Sequence, residues 1–208
     1  IAGIGIGGMG RSNLQNLKGE NIVALCDVDY DYASKTFDEF PKAERYRDYR
    51  AMLDKQKDID AVVIATPDHT RAAIAMAAIN AAKHVYCQKP LTRDICESRR
   101  LAEAAKKTGV TTVMGIQGHS MEGIRLICEW IWAGAIGQVR QVDAWCSLSY
   151  YPWGHAYWST NCAERPTETP PVPETLDWDL WIGPAPYRPY HRCYHPGVWR
   201  AWWDFGCG

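Results

Sequence analysis

The chain has 208 residues, 47% of them hydrophobic and 23% charged, with a formal net charge of −1. That is enough apolar content for a packed core in one large domain or two small ones. Charges of both signs are interspersed, so no basic stripe marks a nucleic-acid or anionic-membrane partner. The longest near-apolar stretch, residues 72–82, is too short to cross a bilayer.

Residues 1–4 read as a buried strand, and Gly5-Ile6-Gly7-Gly8-Met9-Gly10 follows at once. This is G-x-G-x-x-G between a strand and a helix, where a dinucleotide pyrophosphate rests on a helix N-terminus. A second register, Gly3, Gly5 and Gly8, also fits, but Gly5, Gly7 and Gly10 leave residues 1–4 free to be strand. Residues 9–17 are predicted helix and 22–26 strand, ending on Asp27, 22 positions after Gly5. A Rossmann unit places its ribose-binding carboxylate there; an Asp at that position can also cap the next helix. Asp29 and Asp31 follow and no Arg occurs between Asp27 and Arg45, so NAD is favoured over NADP.

The alternation continues with helix 30–40, strand 44–46, helix 48–55, strand 61–65, helix 69–82, strand 84–87, helix 93–108 and strand 111–115. Continuous apolar runs such as Ala61-Val62-Val63-Ile64-Ala65 suit buried parallel strands. The predicted class is α/β, a doubly wound parallel sheet followed by the start of an α+β domain. Composition then shifts. All ten Trp lie at or after Trp130, and nine of twelve Pro after Tyr150. The boundary is placed to give a nucleotide domain over residues 1–118 and an incomplete substrate or oligomerisation domain over 119–208. The second part is predicted to open with helix 122–133, closed by Gly134 and Gly137, then strand 139–148, then a long Pro/Trp/Tyr-rich stretch. Of the eight cysteines none forms C-x-x-C, and no Cys/His spacing matches a metal site. Several sit in apolar runs, which suits a reducing, cytoplasmic setting; an exported one stays open.

Four motifs occur in order: Gly5 to Gly10, Asp60-Ala61-Val62-Val63-Ile64-Ala65-Thr66-Pro67, His84-Val85-Tyr86-Cys87-Gln88-Lys89-Pro90 and Leu176-Asp177-Trp178-Asp179-Leu180-Trp181-Ile182-Gly183-Pro184-Ala185-Pro186-Tyr187. Together they resemble the glucose–fructose oxidoreductase / inositol dehydrogenase / rhizopine-catabolism family. The resemblance implies an NAD-dependent dehydrogenase acting on a secondary alcohol of a sugar, polyol or sugar derivative, the full-length protein being a homo-oligomer. It implies that Gly5, Gly7, Gly8, Met9, Gly10 and Asp27 hold the cofactor, with Thr66, Pro67, His69, Gln88 and Lys89 against it. Lys89 would bond the reacting oxygen and help move its proton, and a cis peptide is usual at the following Pro. Gln88 stands where the family has Glu, and Arg71 where it has His. His69 might instead cap its helix.

Substrate contacts are expected from His119, Trp153, Trp199 and Arg200, within aromatic clusters that also hold His155, Tyr157, Trp158, His191 and His195. The alternative for each aromatic is packing onto its own domain or a partner. The family's acid–base Asp and His follow Trp-Trp-Asp-Phe-Gly, found here at residues 202–206, so they are expected beyond residue 208. The piece in hand is then expected to be inactive, poorly folded in its second half, or both. Two other readings stay open: an NAD-dependent glycosidase working by transient oxidation and elimination, and a non-catalytic nucleotide-binding protein.

Overall fold

The computed structural model describes residues 1–145, 159–160 and 162–207. In chain order the elements of the first part are β1 (Ala2–Ile4), α1 (Gly8–Gln15), β2 (Ala24–Cys26), α2 (Ser34–Glu39), β3 (Glu44–Tyr46), α3 (Tyr49–Lys55), β4 (Ala61–Ile64), α4 (Asp68–Asn80), β5 (His84–Gln88), α5 (Ile95–Thr108) and β6 (Thr112–Gly115). The six strands form one parallel sheet in the order β3-β2-β1-β4-β5-β6. The order reverses between β1 and β4, so the crevice for a ligand opens at the carboxyl ends of those two strands.

Alternation along the strands divides the core. Ala2, Ile4, Ala24, Cys26, Val62, Ile64, Val85 and Cys87 face α3, α4 and α5 in one cluster. Leu25 and Val63 face the other way, with Leu14 of α1 and Phe37 of α2. Helix ends follow local chemistry. Asp94 and Glu97 form a capping box that starts α5 two residues later than the sequence suggested, and Gly109, at φ 75°, ends it. The helix expected from residue 30 begins at Ser34, because the Asp29 carboxylate accepts the Asp31 and Tyr32 amides and holds residues 29–33 in a turn.

Beyond β6 come α6 (Gln117–Ser120) and α7 (Glu122–Trp132), the latter closed through Gly134 and Gly137 as expected. The strand predicted over 139–148 is not formed at residues 139–145; Val142 and Trp145 stand 79% and 87% exposed, with no neighbouring strand to pair among the described residues. Residues 146–148 lie outside the described residues. The last part, with α8 (Trp178–Ile182) and a 3₁₀ turn (Trp199–Ala201), returns to the sheet. It lies over the carboxyl ends of β1, β2 and β4. Leu176 pairs with Asp29 in an antiparallel bridge, and the Asp177 amide donates to Val28 O at 2.8 Å. Its Trp178, Trp181, Tyr190, Tyr194, Trp199 and Phe205 form a third buried cluster. The expectation of a poorly folded second half therefore does not hold for this segment: its aromatics are packed on the nucleotide domain.

Candidate nucleotide site

The glycine turn leaves β1 at Gly5, whose φ of 74° favours glycine and whose amide donates to Cys26 O at 2.9 Å. A Cβ at Gly10 would lie 1.9 Å from Gly5 O, so only glycine lets α1 sit this close to the turn. These contacts select the register Gly5, Gly7, Gly10. No side chain caps α1, so its first amides face outward and its dipole favours an anion there. Tyr32 lies against the turn, its ring 2.1 Å from where a Gly7 Cβ would be.

Asp27 closes the other side. Its carboxylate accepts the Ile6 amide at 2.8 Å and the Asp29 amide at 3.0 Å, which ties β2 to the glycine turn. It caps no helix: α2 starts at Ser34 without a side-chain cap. Burial raises the Asp27 pKa to about 6, against the lowering effect of those two amides and of His195. Each oxygen spends one lone pair on an amide, which leaves acceptor capacity for a diol. Asp29 in turn accepts from His195 Nε2 at 2.8 Å, and its pKa is lowered because these bonds outweigh burial.

Both ends of this arrangement line one cleft of about 740 Å³. Gly5, Gly7, Gly8, Met9, Asp27, Thr66 and Pro67 contribute to it, as do Trp199 and Arg200 from the returning segment. The residues fit an adenine dinucleotide: a turn too tight for a Cβ, uncapped helix amides, and a buried carboxylate with free lone pairs. Among the contributors that sequence reasoning missed are Tyr32, Arg47, Arg50 and Trp181. Arg47 and Arg50 follow β3, and the parallel order places them beside the end of β2; that neighbourhood was the only available signal. Arg47 covers the Tyr30 ring at 4.4 Å and donates to Thr175 O, while Arg50 pairs with Asp48 at 2.9 Å. His195, noted only as part of an aromatic cluster, is buried at the Asp29 contact and also lines the cleft.

The remaining sequence candidates lie elsewhere. His69 has a third use, neither cap nor cleft wall. It is buried, Nε2 lies 2.9 Å from Trp181 O and Nδ1 3.3 Å from Phe205 O, so it holds the returning segment on α4. Burial lowers its pKa to about 4, so the ring is neutral at physiological pH. Gln88 is buried and donates to Asn13 Oδ1 at 3.3 Å, joining β5 to α1. Lys89 follows β5 and is exposed, with a cis peptide to Pro90. His119 is exposed on α6, whose Gln117 reaches Met9 Sδ at 3.6 Å. Lys89 and His119 thus follow neighbouring strand ends, β5 and β6, outside the lining of the cleft. Trp153, with His155, Tyr157 and Trp158, lies outside the described residues.

Arg71, in place of the family's His, is buried and joins three loops. It donates to Thr66 O at 2.8 Å and Pro90 O at 2.7 Å and pairs with Asp68 at 2.9 Å. Asp68 also accepts the Cys207 amide at 3.2 Å.

Comparison with known proteins agrees with this geometry. Residues 1–116 match the family described as oxidoreductase family, NAD-binding Rossmann fold, and residues 129–208 match that family's C-terminal alpha/beta domain. The chain belongs to this family and carries its NAD-binding Rossmann fold. Inositol 2-dehydrogenase of Salmonella paratyphi B is 33% identical over 145 residues, 67% of this chain and 43% of that protein. The crystal structure of myo-inositol 2-dehydrogenase from Lactobacillus plantarum superposes with a TM-score of 0.62 at 26% identity, covering 66% of this chain and 42% of that one. A mutant 3-ketoreductase from Actinomadura kijaniata, solved with TDP-benzene and NADP, gives 0.61 at 26% identity over 67% of this chain and 45% of its own. The chain spans less than half the length of each of these relatives.

Proposed function

We propose that this chain is the nucleotide-binding part of an NAD-dependent oxidoreductase that takes a hydride from a secondary alcohol of a sugar, polyol or sugar derivative. One observation carries the reading: the glycine turn and the Asp27 carboxylate share one cleft at the sheet's carboxyl edge, and Lys89 stands at the end of β5, two strands along. The dehydrogenase activity of the Salmonella relative supports it. Bound NAD supplies the hydride acceptor. The first amides of α1 hold its pyrophosphate, and Asp27 accepts from the adenosine ribose diol. His195 keeps Asp29 oriented beside that diol. Lys89 donates to the alcohol oxygen and helps move its proton, and His119 contacts substrate from the loop after β6. Trp199 and Arg200, on the roof beside Asp27, are assigned to the cofactor rather than the substrate.

NAD is favoured over NADP because a 2′-phosphate would meet Asp27 and Asp29. Arg50 is engaged by Asp48, and Arg47 by Tyr30 and Thr175. Calorimetric titration checks this: NAD binds more tightly than NADP, and Asp27→Ala weakens NAD more. No affinity for either coenzyme, or equal loss of both, refutes the assignment. In a form that turns over myo-inositol or another polyol, Lys89→Ala abolishes NADH formation and leaves NAD affinity intact.

A further inference from the structure

The returning segment brings together a set of donors that the nucleotide site does not use. Cys162, His191 and Cys193 place their ligand atoms within 4.8 Å of one another. In the structure the two sulfurs are joined. The His191–Tyr194 turn is fixed from several directions. The Cys193 amide donates to His191 Nδ1 at 3.1 Å, the Tyr194 amide donates to His191 O at 3.0 Å, and Trp202 Nε1 donates to Cys193 O at 2.5 Å. The other ring nitrogen, His191 Nε2, lies 3.8 Å from the Glu168 carboxylate.

We propose that Cys162, Cys193 and His191 form a binding site for a thiophilic divalent cation, zinc above all, when the cysteines are reduced. Two thiolates and one imidazole are the donor set that selects such ions. A disulfide alone requires neither the imidazole nor the carboxylate that stand here. Nδ1, which accepts the Cys193 amide in the oxidised chain, becomes the ligating atom once that hydrogen bond is released. Nε2 lies 3.8 Å from the exposed Glu168 carboxylate, which can close on it to give the carboxylate–histidine arrangement that orients metal-bound imidazoles. Among the described residues five further cysteines carry free thiols, with Cys96 and Cys207 exposed. Two equivalents of a small thiol reduce the 162–193 pair by exchange, the S–S bond giving two protein S–H groups and the reductant leaving as its own disulfide. Zn²⁺ then displaces two thiol protons, two S–H bonds giving two Zn–S bonds. Tetrahedral Zn–S bonds of about 2.3 Å set the sulfurs roughly 3.8 Å apart. Water takes the fourth position. The ion would pin residue 162 to the turn two residues before His195, and so brace the roof of the nucleotide cleft.

The full chain, reduced with a phosphine under argon and desalted, is titrated with Co²⁺ and then Zn²⁺. The expected result is one Co²⁺ per chain, with thiolate-to-cobalt charge transfer in the near ultraviolet and visible d–d bands that Zn²⁺ abolishes. Cys162→Ser and Cys193→Ser each lose the charge-transfer band, and His191→Gln weakens binding. Glu168→Gln weakens it about tenfold, while Cys96→Ser is unchanged. Where a variant fails to fold, wild-type protein carries the test: Zn²⁺ protects Cys162 and Cys193 from alkylation, read by peptide mass. No charge transfer, no protection, a band that survives both serine variants, or a pair that stays oxidised under phosphine each overturns the site.

Discussion

Two stretches of this chain are rich in large apolar residues and end up in opposite surroundings. In the returning segment, Trp181 is stacked on Trp178 with ring centroids 4.6 Å apart, and Phe205 is fully buried against Trp181, His69 and Tyr194. In α7, none of the 11 residues is buried, and Ile124, Ile127 and Ile131 line one face in the open. Hydrophobicity does not separate the two. What differs is the polar attachment. The returning segment is pinned by Asp29–His195, the neutral His69 ring donating to one of the two carbonyls it faces, Asp68 to the Cys207 amide, and Arg93 to Trp203 O. These bonds fix its register on the sheet edge, and the aromatics fill the space so defined. The face of α7 has no such anchors among the described residues.

The strongest way to break the contrast is to empty the centre of the packed stretch. Phe205→Ala is expected to cost about 3–5 kcal/mol, read as a lower urea midpoint by tryptophan fluorescence. A loss below about 1 kcal/mol would mean that the segment is not packed this way in solution. Next is Arg71→Ala, which strands the buried Asp68 carboxylate and cuts the tie between the Thr66 and Pro90 loops; about 3 kcal/mol is expected. Because burial already raises the Asp68 pKa against the opposing pull of Arg71, the variant should regain part of that loss when the carboxyl protonates at low pH. A pH-independent deficit would argue against the pairing.

The sheet was legible because its signals are local. A continuous apolar run marks a buried strand, and glycines mark the turn at residues 5–10. Helix α2 was misjudged because its early turn depends on a side chain, Asp29, bonding backward to its own backbone. Strand 139–148 carries alternating residues, yet a strand needs a neighbour and residues 139–145 have none among the described residues. The cleft's floor was readable from the motif, but its roof was not. His195 and Trp181 reach Asp29 and His69 across 166 and 112 positions, respectively, and no spacing rule encodes such a contact. The same holds for Cys162 and Cys193, separated by 31 residues, for which the sequence offered no pairing.

A smaller effect probes the seam between the floor and that roof. In the folded chain Asp27 titrates near 6, above its ordinary 3.8. Between those values the folded chain keeps a proton that the unfolded chain has lost, so the Asp27 contribution to stability falls as pH rises through that window. Ribose hydroxyls favour the carboxylate, so NAD affinity should rise about tenfold between pH 5 and 7 and level off above. Asp27→Asn should flatten the profile. A slope that persists in the variant assigns the titration to another group.

The smallest effect is expected on the open stretch. Trp132 stands 82% exposed at the end of α7, and Trp132→Ala should change stability by no more than about 0.5 kcal/mol. Ile127→Ala, on the same helix and 46% exposed, should behave alike. Set beside Phe205→Ala, the pair isolates the variable of interest, since all three remove a large apolar side chain and only one removes it from packed surroundings. Equal losses at the three sites would show that α7 is covered in solution, and that the anchoring bonds of the returning segment do not account for the contrast.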